Sequence, residues 1–279
     1  MGETLEWDEE WEEDQESGAE PIWSPASRAE GRVHASLALG LLAMAPLFLA
    51  YELGLARDPD LPRSQSEQVL FRLLILFPSA AETWLRQGIL LGAVVGALVV
   101  CYRRRVALGP SLLRVFLEGV LGAVALGPAL AYGMRLFGGF ENEVSPLAVD
   151  TSLPVAGRVM GAAAFEELLF RVALYGIVFL LARRVAAFFG ARERVSGLLA
   201  EGLALLLSSL GFAAIHLAVF TTWLGPEGEA FDPAIFTWRC LAGVLLALLF
   251  RWRGPGVAAW SHGLFNLALL IGAGPEVLL

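Results

Sequence analysis

The chain has 279 residues, 57% of them hydrophobic, with a mean hydropathy of +0.64 and a formal net charge of −8. That apolarity excludes an ordinary soluble domain and makes a polytopic membrane protein the default reading. The charge is local: ten of the 28 acidic residues fall within residues 1–20, which hold no base, and the other 18 face 20 bases, all arginine.

Taken in order, residues 1–28 read as an acidic, disordered cytoplasmic tail, with Trp7, Trp11 and Trp23 among the carboxylates and Pro21 and Pro25 near its end. A secretory signal is excluded there, because such signals begin with positive charge. Residues 29–150 read as N-terminal transmembrane helices and residues 151–279 as a transmembrane core. Hydropathy predicts crossings near Val33–Leu53, Trp84–Tyr102, Leu112–Phe137, Pro154–Leu181, Val195–Phe220, Ala234–Phe250 and Val257–Ala273. Residues 54–66 read as a loop, and Val69–Phe77, too short to span, as an interfacial or re-entrant piece. The fold class is therefore all-α, a polytopic helical bundle of about seven or eight membrane helices. Gly119, Ala123 and Gly127, and Gly157 and Gly161, mark faces where helices approach closely.

Arginines cluster at 103–105, at 183, 184, 192 and 194, and at 251 and 253, after the second, fourth and sixth crossings. The positive-inside rule makes these loops cytoplasmic and places the N-terminus inside; Arg57 and Arg63 run against the pattern. The expected setting is a bacterial inner membrane, with the lipid bilayer as a partner. No basic patch with interleaved aromatics points to nucleic acid. Cys101 and Cys240 lie far apart in apolar segments and fit neither a disulfide framework nor a metal knuckle.

The chemistry concentrates in the fourth crossing, at Phe165-Glu166-Glu167-Leu168-Leu169-Phe170-Arg171. An ionisable side chain at mid-membrane costs at least about 2.5–3.5 kcal/mol on insertion scales, so three within six positions need an explanation. Glu167 and Arg171 stand four apart, in the orientation that favours an ion pair, leaving Glu166 about 100° away for chemistry. Phe212 and His216 share one face of the fifth helix, His262 and Asn266 one face of the seventh. Two histidines and a carboxylate pair in three apolar helices satisfy one another when they converge on one cavity. Such a cluster supports hydrolysis: a carboxylate as general base on water, a histidine sharing that water, and His and Asn donors aimed at an oxyanion. Glu166, His216 and His262 could instead hold a divalent metal such as zinc, although no HExxH helix is present. Arg114 and Glu118 most simply pair with each other; Glu201, Arg158 and Arg239 read as helix-end groups that snorkel or pair. Pro128 and Pro154 read as helix-shaping residues.

The three motifs Glu166-Glu167-x-x-x-Arg171, Phe212-x-x-x-His216 and His262-x-x-x-Asn266, in that order, resemble the signatures of the CPBP family of intramembrane proteases, which includes the type II CAAX prenyl endopeptidases and the bacterial Abi proteins. The resemblance covers residues 155–271. It implies an endopeptidase whose active site lies below the membrane surface and whose substrate is a membrane-anchored protein or peptide: a CAAX-type tail, a sorting signal or a maturing peptide. By motif position, Glu166 activates water with His216, His262 and Asn266 stabilise the oxyanion, and Glu167 and Arg171, with Phe212, support the site. It leaves open whether the enzyme is glutamate-dependent or a metalloprotease. The alternative from another class is a transporter or immunity-type binding protein using the same cluster without catalysis, but no internal repeat between halves points to transport.

Overall fold

The computed structural model describes residues 25–74, 82–136, 151–221 and 228–272. The described residues fall into two units, divided between His34 and Ala35. Of the first, only the helical backbone from Pro25 is described, so residues 1–24 of the tail expected at 1–28 lie outside the described residues.

Apolar runs punctuated by short polar turns give helix after helix: α1 (Pro25–Arg57), α2 (Gln65–Leu74), α3 (Glu82–Arg103), α4 (Leu108–Leu136), α5 (Leu153–Glu167), a π-helical segment (Leu168–Tyr175), α6 (Gly176–Phe188), α7 (Glu193–Ala214), α8 (Ala218–Thr221), α9 (Pro233–Arg253) and α10 (Pro255–Leu270). The only pairing of extended backbone among the described residues is an isolated bridge between Leu217 and Glu229. The protein is a polytopic helical bundle. Leu37–Arg57, Trp84–Arg103, α4, α7 and α9 are each long and apolar enough to cross a membrane. Their outward faces carry Leu91 and Val95 of α3, Leu121 and Val124 of α4, and Leu198 and Leu199 of α7, all exposed, as a lipid solvent requires.

Several expectations change. The first helix continues to Arg57, so the loop after it starts four residues later than hydropathy suggests, and α2 takes up part of the expected loop. The fourth crossing is not a regular α-helix: it runs without a break from Leu153 to Phe188, with right-handed helical dihedrals at Leu168 and Gly176, but winds as a π-helix between them. The fifth does not reach Phe220. It stops at Ala214, and His216 lies in the turn that follows. At 16 residues, α10 is about 24 Å long, shorter than a bilayer core. Pro255 starts it and Gly272, at φ 83°, follows its end.

The helices meet where the side chains are smallest. A methyl group on Gly157 of α5 would stand 2.6 Å from the Ala50 carbonyl oxygen of α1, so only glycine permits this approach. Gly119 and Gly122 give α4 the same intimacy with Trp260 and Ser261 of α10. Around the first contact lies an apolar core of Met44, Leu47, Phe48, Tyr51, Ala164, Phe165 and Ala259. The Phe165 ring stands 5.0 Å from the rings of both Phe48 and Tyr51. Through these contacts α1 and α10 fix the turn of α5 that carries the paired glutamates.

A buried polar knot ties α2 to this core. Glu67 of α2 binds the Tyr51 hydroxyl and the guanidinium of Arg86 on α3, and Arg63 Nη1 reaches it at 2.9 Å. Arg86 also holds Glu52 at 3.0 Å, and the Ser64 amide donates to the Tyr51 oxygen at 2.8 Å. The other intramembrane charges pair as well. Glu118 takes both Arg114 and Arg253, Glu201 takes Tyr175 and Arg251, and Arg158 donates to the Pro62 carbonyl.

Candidate active site

The paired glutamates sit at the seam where α5 turns into the π segment, and the change of winding separates their surroundings. Glu167 is fully buried. Its Oε1 accepts from His262 Nδ1 at 3.0 Å, and its Oε2 lies 3.3 Å from Arg171 Nε in an ion pair that is itself sealed from solvent. Glu166 keeps 13% of its side chain accessible, and its Oε2 stands 3.4 Å from His262 Nε2. The imidazole of His262 is thus wedged between two carboxylates. Because a carboxylate can only accept, Nδ1 carries the proton shared with Glu167, which orients Nε2 toward Glu166.

Arg171 is held from three sides. Besides Glu167, its Nη2 donates to the Gly243 carbonyl of α9 at 3.2 Å, and its guanidinium carbon lies 4.7 Å from the centre of the Phe212 ring. Gly243 is required for this: a side chain there would meet the main chain of Ser209 on α7 at 3.0 Å. Phe212 in turn stands edge-on to both imidazoles, 5.6 Å from His216 and 5.5 Å from His262. The two histidines look far apart in depth when counted along straight helices. They nevertheless meet at this one phenylalanine.

His216 ends its own helix. Its Nδ1 bonds the Phe212 carbonyl oxygen at 3.0 Å, the acceptor that the His216 main-chain amide would take in a continued helix. A carbonyl only accepts, so Nδ1 carries the proton and Nε2 of the neutral ring is left as an acceptor. The main chain here is tied to an extended stretch before α9: the Glu229 amide donates to the His216 carbonyl and the Ala218 amide to the Glu229 carbonyl, both at 2.9 Å. The Glu229 carboxylate grips Arg239 of α9, whose hydrogen bonds hold the Glu229 carboxyl below the usual carboxylate range.

The structure therefore brings Glu166, Glu167, Arg171, Phe212, His216 and His262 into one cluster. Asn266 lies one turn after His262 in α10, half-buried, with no side-chain hydrogen bond to another described residue. The contact that Glu166 makes is the 3.4 Å approach to His262, although its charge also acts on the His216 ring. Among the described residues no three His, Cys, Asp or Glu side chains are placed to share a metal ion, so the donors as arranged do not form a zinc site. Sequence reasoning missed Gly243, Glu229 and the part of Arg239 beside His216. Gly243 acts through its main chain, and Glu229 sits in a polar loop where a glutamate carries no signal.

Residues 149–268 match the family model described as "Type II CAAX prenyl endopeptidase Rce1-like". This stretch belongs to that family. The match spans α5 to α10 and so contains every residue of the cluster above. No curated protein and no solved structure matches the chain. The match supports a CAAX-type intramembrane endopeptidase in general terms, a class that implies a membrane-associated peptide substrate.

Proposed function

We propose that this CAAX endopeptidase-like domain hydrolyses a peptide bond of a membrane-anchored protein or peptide with a water activated by Glu166. The observation that carries the proposal is the asymmetry of the two glutamates about His262. Glu167 is sealed and bonded to His262 and Arg171, whereas Glu166 faces the same imidazole with part of its carboxylate accessible.

In this reading Glu166 takes a proton from water as the water oxygen attacks the scissile carbonyl carbon. His216, with Nε2 free to accept, shares that water. The tetrahedral oxyanion forms near His262 and Asn266: the Asn266 side-chain amide donates to it, and so does His262 Nε2 when the ring, set between two carboxylates, is doubly protonated. Collapse breaks the C–N bond while the proton held by Glu166 passes to the departing nitrogen, leaving a carboxylate and an amine. Glu167 and Arg171 keep His262 in register. No step runs through a metal. The substrate is a CAAX-type tail, a sorting signal or a maturing peptide, and the setting a bacterial plasma membrane with the N-terminus inside.

The test is cleavage of a library of membrane-anchored peptides by the purified protein and by His216→Ala and His262→Ala, each with and without a chelator. Loss of cleavage in both variants with no effect of chelator is expected. Undiminished cleavage by both, or loss on chelation restored by zinc, contradicts the mechanism.

A further inference from the structure

The motif cluster leaves one charged pair at its edge unused. Arg239 presents both arms of its guanidinium to both oxygens of Glu229, Nη1 to Oε2 at 2.6 Å and Nη2 to Oε1 at 2.7 Å, the fork-to-fork geometry by which arginine recognises a carboxylate. Its position is not incidental. Arg239 lies one turn before Gly243, the residue whose carbonyl holds Arg171. The backbone of Glu229 is hydrogen-bonded to that of His216, and Glu166, Arg239 and Glu229 all lie within electrostatic reach of the His216 imidazole.

The two partners differ in freedom. Arg239 springs from the first turns of a membrane helix and is 20% exposed; Glu229 is carried on an extended stretch and is 52% exposed. A guanidinium so covered needs a counter-charge, but a half-exposed carboxylate can yield its place to another with little change in solvation. We propose that Arg239 is a substrate-binding residue that takes a carboxylate of the peptide substrate, either its C-terminus or an acidic side chain a few residues from the cleaved bond, and that Glu229 occupies the receptor until the substrate arrives. This rests on the endopeptidase reading, in which a peptide lies against His216.

The experiment measures binding, so that it does not depend on turnover. Fluorescent membrane-anchored peptides are titrated onto the Glu166→Gln protein in detergent, in matched forms: free C-terminus or C-terminal amide, with an acidic side chain or its amide. The same series is run with Arg239→Gln and Arg239→Lys added, and with Glu229→Gln added. The expected result is that neutralising the recognised carboxylate weakens binding about tenfold or more, and that Arg239→Gln does the same to the charged peptide while leaving the neutral one unchanged. Arg239→Lys falls between, and Glu229→Gln tightens the charged peptide. The form whose amidation matters identifies C-terminus or side chain. Equal binding of charged and neutral peptides, no binding of either, or an equal loss on both from Arg239→Gln overturns the proposal. Charge-dependent binding by a protein whose wild type cleaves nothing would instead overturn the peptidase reading alone.

Discussion

At the scale of single residues, two adjacent glutamates are given different work by the helix that carries them. Glu167 is one link in a chain of buried contacts, His262–Glu167–Arg171–Gly243. Removing one member of a buried ion pair strands the other, at a cost of about 3–5 kcal/mol. Glu167→Leu is therefore expected to lower the thermal unfolding midpoint clearly in detergent, whereas Glu166→Gln, at a partly accessible position, leaves it close to that of wild type. Equal destabilisation by the two would contradict the division of roles. Much of this was legible in the sequence: two carboxylates, two histidines and an arginine in apolar helices have few reasons to be there. Which imidazole each glutamate faces was not, because that depends on how helices are rotated about their axes.

At the scale of elements, close approach and a polar knot place the catalytic turn. Gly157→Leu drives a side chain into the α1 main chain and is expected to cost about 1–3 kcal/mol, seen as a lowered unfolding midpoint with parallel loss of activity. Glu67→Leu leaves Arg86 without its buried partner, and a loss of about 3–5 kcal/mol is expected by the same assay. An unchanged midpoint would mean that α2 does not hold α1 and α3 together. The long apolar helices followed from hydropathy, whereas α2 and α8 did not. The π winding after Glu167 and the stop before His216 did not, since hydropathy carries no signal for winding or for a side chain that takes a main-chain acceptor. The imidazole of His216 takes a carbonyl that a continued helix would use. The knot of Tyr51, Glu67 and Arg86 was invisible for a similar reason, its members being scattered over three helices.

At the scale of the molecule, α7 runs from Arg192 and Arg194 at its start toward His216, and α9 ends at Arg251 and Arg253. If the arginine-rich ends are cytoplasmic, His216, Glu229 and the start of α9 lie toward the outer face. Single cysteines on a background lacking Cys101 and Cys240 test this. Val106→Cys, just after the arginine run at 103–105, is expected to be shielded from a membrane-impermeant thiol reagent in intact cells, whereas Ala230→Cys, beside Glu229, is expected to react. The reverse pattern would invert the bundle. The central claim, that Glu166 activates the attacking water, is tested most directly by one comparison: cleavage of the same membrane-anchored peptides by wild type and Glu166→Gln in liposomes. The account predicts a loss of at least about a hundredfold in rate, with the unfolding midpoint retained. Equal rates for the two proteins would contradict it.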